Sequence, residues 1–182
     1  MLVVALLAGC DRLTPWQGVE ITPPRPVPAF TFPQGTGRPF STAPLPGRPL
    51  VLFFGYTHCP DVCPTTLADW VRVRRQLGAS ADRVRFVFVS VDPARDTPAV
   101  AAAYAARFSP TFTGVSGDSA TTAGILAAFG ATAVPAPSAG ASGYLVSHSS
   151  QLFLVDDQGR LVAMYPFGTG WEALATDLEK LL

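Results

Sequence analysis

Short apolar runs alternate with segments of helical period along most of this chain, and the alternation predicts an α/β domain. "RPLVLFFGY" (48–56) is a continuous apolar run of the buried-strand type. "PTTLADWVRVRRQLG" (64–78) follows it with Leu67, Trp70, Val71, Val73, Arg74 and Leu77 giving a mixed but recognisable helical face. "DRVRFVFVSVD" (82–92) predicts a second strand. "TPAVAAAYAARF" (97–108) predicts a helix with Thr97 as N-cap and Pro98 at the first position. A weaker strand at "TFTGVSG" (111–117) precedes a helix at "SATTAGILAAFG" (119–130). "SQLFLVDDQGRLVAMYP" (150–166) reads as a hairpin whose turn is "DDQG", and "GWEALATDLEKLL" (170–182) as a closing amphipathic helix. Strand, helix, strand, helix, then a hairpin and a terminal helix is the order of a thioredoxin-like α/β fold with an extra hairpin and an extended N-terminal segment.

Two stretches break the pattern. "GATAVPAPSAGASG" (130–143) is low in complexity and predicts a mobile loop leading into "YLVSHSS". "TPWQGVEITPPRPVPA", ending at Ala29, has neither helical nor strand period. Pro23, Pro24, Pro26 and Pro28 there favour polyproline II, at roughly 3 Å per residue. Residues 11–29 are therefore expected to form a proline-rich tether, and residues 30–182 the domain.

The first ten residues hold an apolar run from Leu2 to Gly9, too short to cross a bilayer, which ends in small residues before Cys10. This reads as the remnant of a secretory signal, and "LLAGC" resembles a bacterial lipobox whose cysteine takes up lipid. Met1 runs straight into apolar sequence without the basic residues that open a signal, so a start further upstream is expected. The expected location is the bacterial cell envelope, on the outer face of the cytoplasmic membrane, with the anchor at Cys10.

With 182 residues, 48% of them hydrophobic, the chain has room for one core of ordinary size. Thirteen Lys and Arg balance thirteen Asp and Glu, so bulk charge selects neither nucleic acid nor anionic lipid as a partner. If Cys10 carries lipid, only Cys59 and Cys63 remain, and in an exported compartment they can pair with each other or share a ligand.

"FFGYTHCPDVCPTT" (53–66) carries that pair four positions apart, each cysteine followed by proline. Pro60 and Pro64 disfavour helical angles at Cys59 and Cys63, so the segment is expected to wrap, with the helix beginning at Pro64 and Cys63 near its N-cap. A thiol at a helix N-terminus has a lowered pKa, and thiolate both attacks disulfides and binds soft metals. Two thiolates and an imidazole suit Cu(I), and the nitrogen helps the same site hold Cu(II), whereas zinc asks for a fourth ligand. The chain offers two histidines. His58 is adjacent to Cys59, and successive side chains on an extended segment diverge, so His148 is the better candidate. Metal clamp, redox pair and core thiols all remain open on these residues alone.

"FFGYTHCPDVCPTTL", "VFVSVDPARDTP" and "YLVSHSSQLFLVDDQGRL" together resemble, in order, the Sco/SenC family of copper-binding assembly factors for cytochrome c oxidase. The likeness extends over about residues 29–182. It implies a thioredoxin-like fold and one copper held by Cys59, Cys63 and His148, with the cysteines also serving as a redox pair. The implied task is maturation of the dinuclear copper site in oxidase subunit II, by delivering copper, by reducing that site's cysteines, or both. A periplasmic copper donor and a thioredoxin-like reductant are the further partners implied. The family usually has an acidic residue just before the ligand histidine, where this chain has Ser147.

Asp92, Arg95 and Asp96 also match the family. They either shape the site or dock a partner, or else form a turn in which Asp96 or Thr97 caps the next helix and Arg95 pairs locally. Asp61 reads as a solvated turn residue, and Tyr56, Trp70 and Phe129 as core. The main rival function is a thiol–disulfide oxidoreductase without physiological copper. Three residues between the cysteines and no Trp before the first count against it. A peroxiredoxin-like peroxidase would need Thr where the chain has Pro60 or Tyr56.

Overall fold

The computed structural model describes residues 15–34, 38–137 and 143–182. Cys10, the signal-like segment and residues 11–14 of the expected tether lie outside them. A six-stranded mixed sheet is built from β1 (Val19–Pro26), β4 (Leu50–Gly55), β5 (Arg85–Ser90), β6 (Thr113–Val115), β9 (Leu152–Val155) and β10 (Arg160–Tyr165) in the order β1-β10-β9-β4-β5-β6. β4, β5 and β6 run parallel, while β9, β10 and β1 join antiparallel. Two small ribbons flank it, β2 (Thr31–Phe32) with β3 (Phe40–Ser41), and β7 (Ala133–Pro137) with β8 (Tyr144–His148).

β4 is buried along its whole length because both its neighbours and both sheet faces are covered, which is why its sequence is an unbroken apolar run. α1 (Val62–Leu77) follows it and buries Leu67, Trp70, Val73 and Leu77, spaced three or four apart. Each such side chain contributes about 1.5–3 kcal/mol when taken out of water. α4 (Trp171–Glu179) packs beside α1. α2 (Pro98–Ala106) is capped by Thr97, whose hydroxyl accepts the Val100 N–H. It lies so close to β6 that a Cβ on Gly114 would stand 2.0 Å from the Ala101 carbonyl oxygen. α3 (Ser119–Phe129) is capped by Asp118, which accepts the Thr121 N–H.

Three expectations are corrected. Residues 19–26 are not tether but an edge strand on β10. The register shifts between Glu20 and Arg25, so Pro23 and Pro24 fall where the ladder needs no N–H from them. The chain before this strand is held by buried Asp177, which accepts the N–H groups of Gln17 and Gly18, the Tyr165 hydroxyl and the Lys180 ammonium. Secondly, α1 begins at Val62, placing Cys63 inside its first turn. The restriction before Pro64 is tolerated there because a first turn needs no N–H from the proline. Thirdly, the expected mobile loop at 130–143 contains β7, whose pairing with β8 makes a separate hairpin ending at His148. The β9–β10 hairpin belongs to the main sheet. Residues 138–142 lie outside the described part.

Candidate metal centre

Cys59, Cys63 and His148 come together at the C-terminal end of β4, with one sulfur or nitrogen atom of each within 4.8 Å of the others. Each is supplied by a different local device. Cys63 is fixed by the first turn of α1 and fully buried. Its sulfur packs against Gly55, where an added Cβ would stand 2.7 Å away. Cys59 precedes the helix and is half-buried. Its Sγ accepts the Cys63 N–H at 3.4 Å, satisfying a helix N-terminal donor that Asp61, the N-cap residue, leaves unbonded by its own side chain.

That arrangement divides the two thiols sharply. Cys59 is lowered to about 4, chiefly by the hydrogen bond from the Cys63 thiol. His148 and the backbone N–H groups of Asp61 and Cys63 add to the effect, and partial burial opposes it. Cys63 is pushed far up by donating that bond, by burial and by the charge on Cys59. The thiolate expected at the helix N-terminus therefore sits on Cys59, because the helix N–H groups converge on its sulfur and Cys63 is sealed from water. An ordinary thiol pKa is about 8.5, so its alkylation by iodoacetamide would fail as pH drops below that. Cys59 is depressed, and its reactivity is expected to hold across neutral and mildly acidic pH and fall only through about pH 4. Retention of the rate profile of a normal thiol would contradict this reading.

His148 is oriented as a ligand should be. Its Nδ1 donates to the Ser149 carbonyl at 3.0 Å, which turns Nε2 toward Cys63 Sγ at 3.8 Å. Phe53 and Tyr56 hold the ring edge-on, with centroids 5.9 and 5.7 Å away. Tyr56, Trp70 and Phe129 are all buried, as core residues should be, and Tyr56 thus serves the site as well. Ser147 is exposed, on the strand face opposite His148, so the missing acidic residue would not have pointed at the ligand atoms. His58 stands outside the cluster, exposed, with Nδ1 3.2 Å from Thr57 Oγ1. Asp61 is exposed.

The acidic motif that follows β5 builds the surroundings. Asp96 is fully buried and accepts the Thr57 N–H at 2.9 Å, the Thr57 hydroxyl at 2.6 Å and the Ser90 hydroxyl at 2.6 Å, which pins the loop entering Cys59. The cap on α2 is Thr97, so Asp96 serves the cysteine loop. Asp92 accepts from Arg95 and, at 2.7 Å, from the Tyr144 hydroxyl. Arg95 in turn donates to the Tyr144 carbonyl at 2.9 Å and stacks 3.6 Å above its ring. Tyr144, which sequence reasoning passed over, thus ties the start of β8 to the β5 end of the sheet, and β8 carries His148. Its only signal was a place four residues before the histidine.

Comparison with known proteins gives a consistent picture. The family model described as SCO1/SenC matches residues 20–182. A putative copper-binding protein of Stutzerimonas stutzeri is 38% identical over 138 residues, 75% of this chain and 67% of that protein. The solution structure of apo Sco1 from Thermus thermophilus aligns with a TM-score of 0.80 at 36% identity, covering 92% of this chain and 98% of that one. Copper-bound ScoI of Bradyrhizobium japonicum aligns with a TM-score of 0.76 at 37% identity, covering 86% and 99%. The chain spans between 45% and 67% of the length of curated relatives it matches.

Proposed function

Since this chain belongs to the SCO1/SenC family, we propose that it is a copper metallochaperone that assists assembly of the dinuclear copper site of cytochrome c oxidase. The carrying observation is the convergence of Cys59, Cys63 and a correctly oriented His148 within 4.8 Å. Two sulfurs and one imidazole nitrogen fit Cu(I), which accepts three soft ligands, and the nitrogen fits Cu(II) as well. Zinc would seek a fourth ligand, and no other His, Cys, Asp or Glu joins the cluster among the described residues.

Copper is cargo here, so the site must release it. Cys63 is buried and holds its ligand position rigidly, whereas Cys59 is partly exposed at the surface. An incoming thiolate of oxidase subunit II meets Cys59 first, and ligand exchange begins there. A periplasmic donor would load the site by the reverse exchange. No described helix is long and apolar enough to cross a membrane. Attachment to the outer face of the cytoplasmic membrane through lipid at Cys10 is part of the proposal, motivated by the lipobox-like sequence.

A second reading is favoured by the uneven pair of thiols. The Cys59 thiolate attacks a disulfide in the target, forming a mixed disulfide and releasing one target thiolate. Cys63 then loses its proton and attacks Cys59 Sγ, which releases the second target thiolate and leaves a Cys59–Cys63 disulfide. The target gains two electrons, and a thioredoxin-like reductant must restore the pair. Copper delivery needs His148, and this exchange does not.

The reduced full chain, titrated anaerobically with Cu(I) and Cu(II) against a competing chelator, is expected to bind one copper in each state. His148→Ala is expected to weaken binding by about 100-fold or more, since loss of an outer-shell partner alone costs about 10- to 100-fold. Weak binding indifferent to His148 would remove the metallochaperone reading and leave the dithiol reductase.

A further inference from the structure

The zero formal net charge averages two unlike poles. Beside the metal centre Asp92 is paired with Arg95, Asp96 is buried and only Asp61 is exposed, so that pole shows little basic surface. The opposite pole is formed by the N-terminal ends of β4 and β5 and the C-terminal ends of α1 and α4. There Arg38, Arg48 and Arg85 line one shallow hollow together with Phe40 and Leu45. None of the three makes an ion pair among the described residues. Arg48 donates to the Asp82 carbonyl, and Arg85 to the carbonyls of Ala43 and Ser41, so both spend hydrogen bonds on neutral acceptors. Of the carboxylates near this pole, Asp82 is paired with Arg74 at 2.8 Å, and Asp157 accepts the Gly47 N–H at 2.8 Å. Burial and the neighbouring Arg48 charge lower the Arg85 pKa, as expected of cations gathered without an anion.

Two further features point to the kind of anion. Leu45 is 42% exposed among the guanidinium groups, and Phe40 lies under Arg85, its ring centroid 5.3 Å from the guanidinium carbon. Apolar side chains among arginines match a phospholipid interface, which offers phosphate charge above acyl chain. Arg83 reaches Leu182 beyond the end of α4 on this same pole, and Lys180, the C-cap of that helix, holds the Pro15 carbonyl at 2.8 Å. Pro15, the first described residue, thus lies beside the C-terminal end of α4.

We propose that this arginine pole is a docking surface for anionic phospholipid headgroups, which sets the domain on a membrane with the metal centre directed away from it. The docking is independent of lipid at Cys10, so its failure would leave the copper reading untouched.

The test is co-sedimentation of the reduced, unlipidated full chain with vesicles of equal parts phosphatidylglycerol and phosphatidylcholine, beside vesicles of phosphatidylcholine alone. Binding is expected only to the anionic vesicles. Arg38→Gln with Arg48→Gln is expected to weaken it about 25-fold, from about 1 kcal/mol for each arginine near the surface. Both arginines are exposed, so thermal unfolding should not move. Salt at about 0.5 M should also abolish the partition. Cys59 should alkylate at the same rate on and off the vesicles. Equal binding to neutral vesicles, or binding unchanged in the double variant, would overturn the proposal in favour of the apolar N-terminal run. Displacement from vesicles by a short DNA duplex would overturn it in favour of a general polyanion surface, and protection of Cys59 would overturn the orientation.

Discussion

Asp96→Ala is expected to destabilise the chain by about 4 kcal/mol, roughly a thousandfold in the folding equilibrium, because hydrogen bonds to a buried charge contribute about 1.5–3 kcal/mol each and their partners are left unsatisfied. The carboxylate is fully buried and serves the Thr57 N–H, the Thr57 hydroxyl and the Ser90 hydroxyl together. Thr57 stands two residues before Cys59, so the variant should also bind copper more weakly under conditions where it is still folded. Asp96→Asn keeps the shape but turns one accepting oxygen into a donor, and should recover part of the loss. Urea unfolding of the three proteins measures this. Equal stability of Asp96→Ala and the parent chain would show that the network does not hold the cysteine loop.

Gly55→Ala is the second large effect, and it acts from beneath the site. The new methyl group would stand 2.7 Å from Cys63 Sγ, 2.7 Å from Phe88 Cε2 and 3.0 Å from Phe53 Cε1. Overpacking of this degree costs about 3 kcal/mol. The buried aromatic rings are the stiffer neighbours, so the sulfur gives way. Displaced, the Cys63 thiol no longer donates squarely to Cys59, and the chief cause of the low Cys59 pKa is lost. The iodoacetamide profile is then expected to move its midpoint upward from about 4 toward that of an ordinary thiol, with at least a tenfold loss in copper affinity from ligands held out of place. An unchanged alkylation profile would mean that the thiol tolerates the methyl group in place.

Much of the domain was legible because its signals are local. The apolar runs over β4 and β5, the Thr97 and Pro98 start of α2 and the turn between β9 and β10 need only their own residues to be read. The cysteines were legible too, since a pair so spaced has few other uses. Histidine was harder. Side-chain divergence next to Cys59 and then the resemblance set His148 above His58, but the hydrogen bond that turns its Nε2 toward Cys63 involves a backbone carbonyl, which leaves no mark in composition. Tyr144 was invisible for a like reason, because it meets Asp92 and Arg95 across about fifty residues of chain. β1 escaped because its burial is almost nil and its prolines mimic a linker. What places it is the buried Asp177 at the far end of the chain. The helix start and the owner of the thiolate were misplaced together, since both turned on treating proline as a boundary when it stands in the first turn.

The two margins of the sheet have a consequence for how crowded this protein can safely become. Any outer strand offers unpaired backbone groups on which another chain can grow. On one side that margin is β1, where Pro23 and Pro24 have no N–H to offer and the register is interrupted. On the other it is β6, only three residues long. Neither margin provides a straight template, so copies gathered at high density on a surface should meet without stacking edge to edge into aggregates.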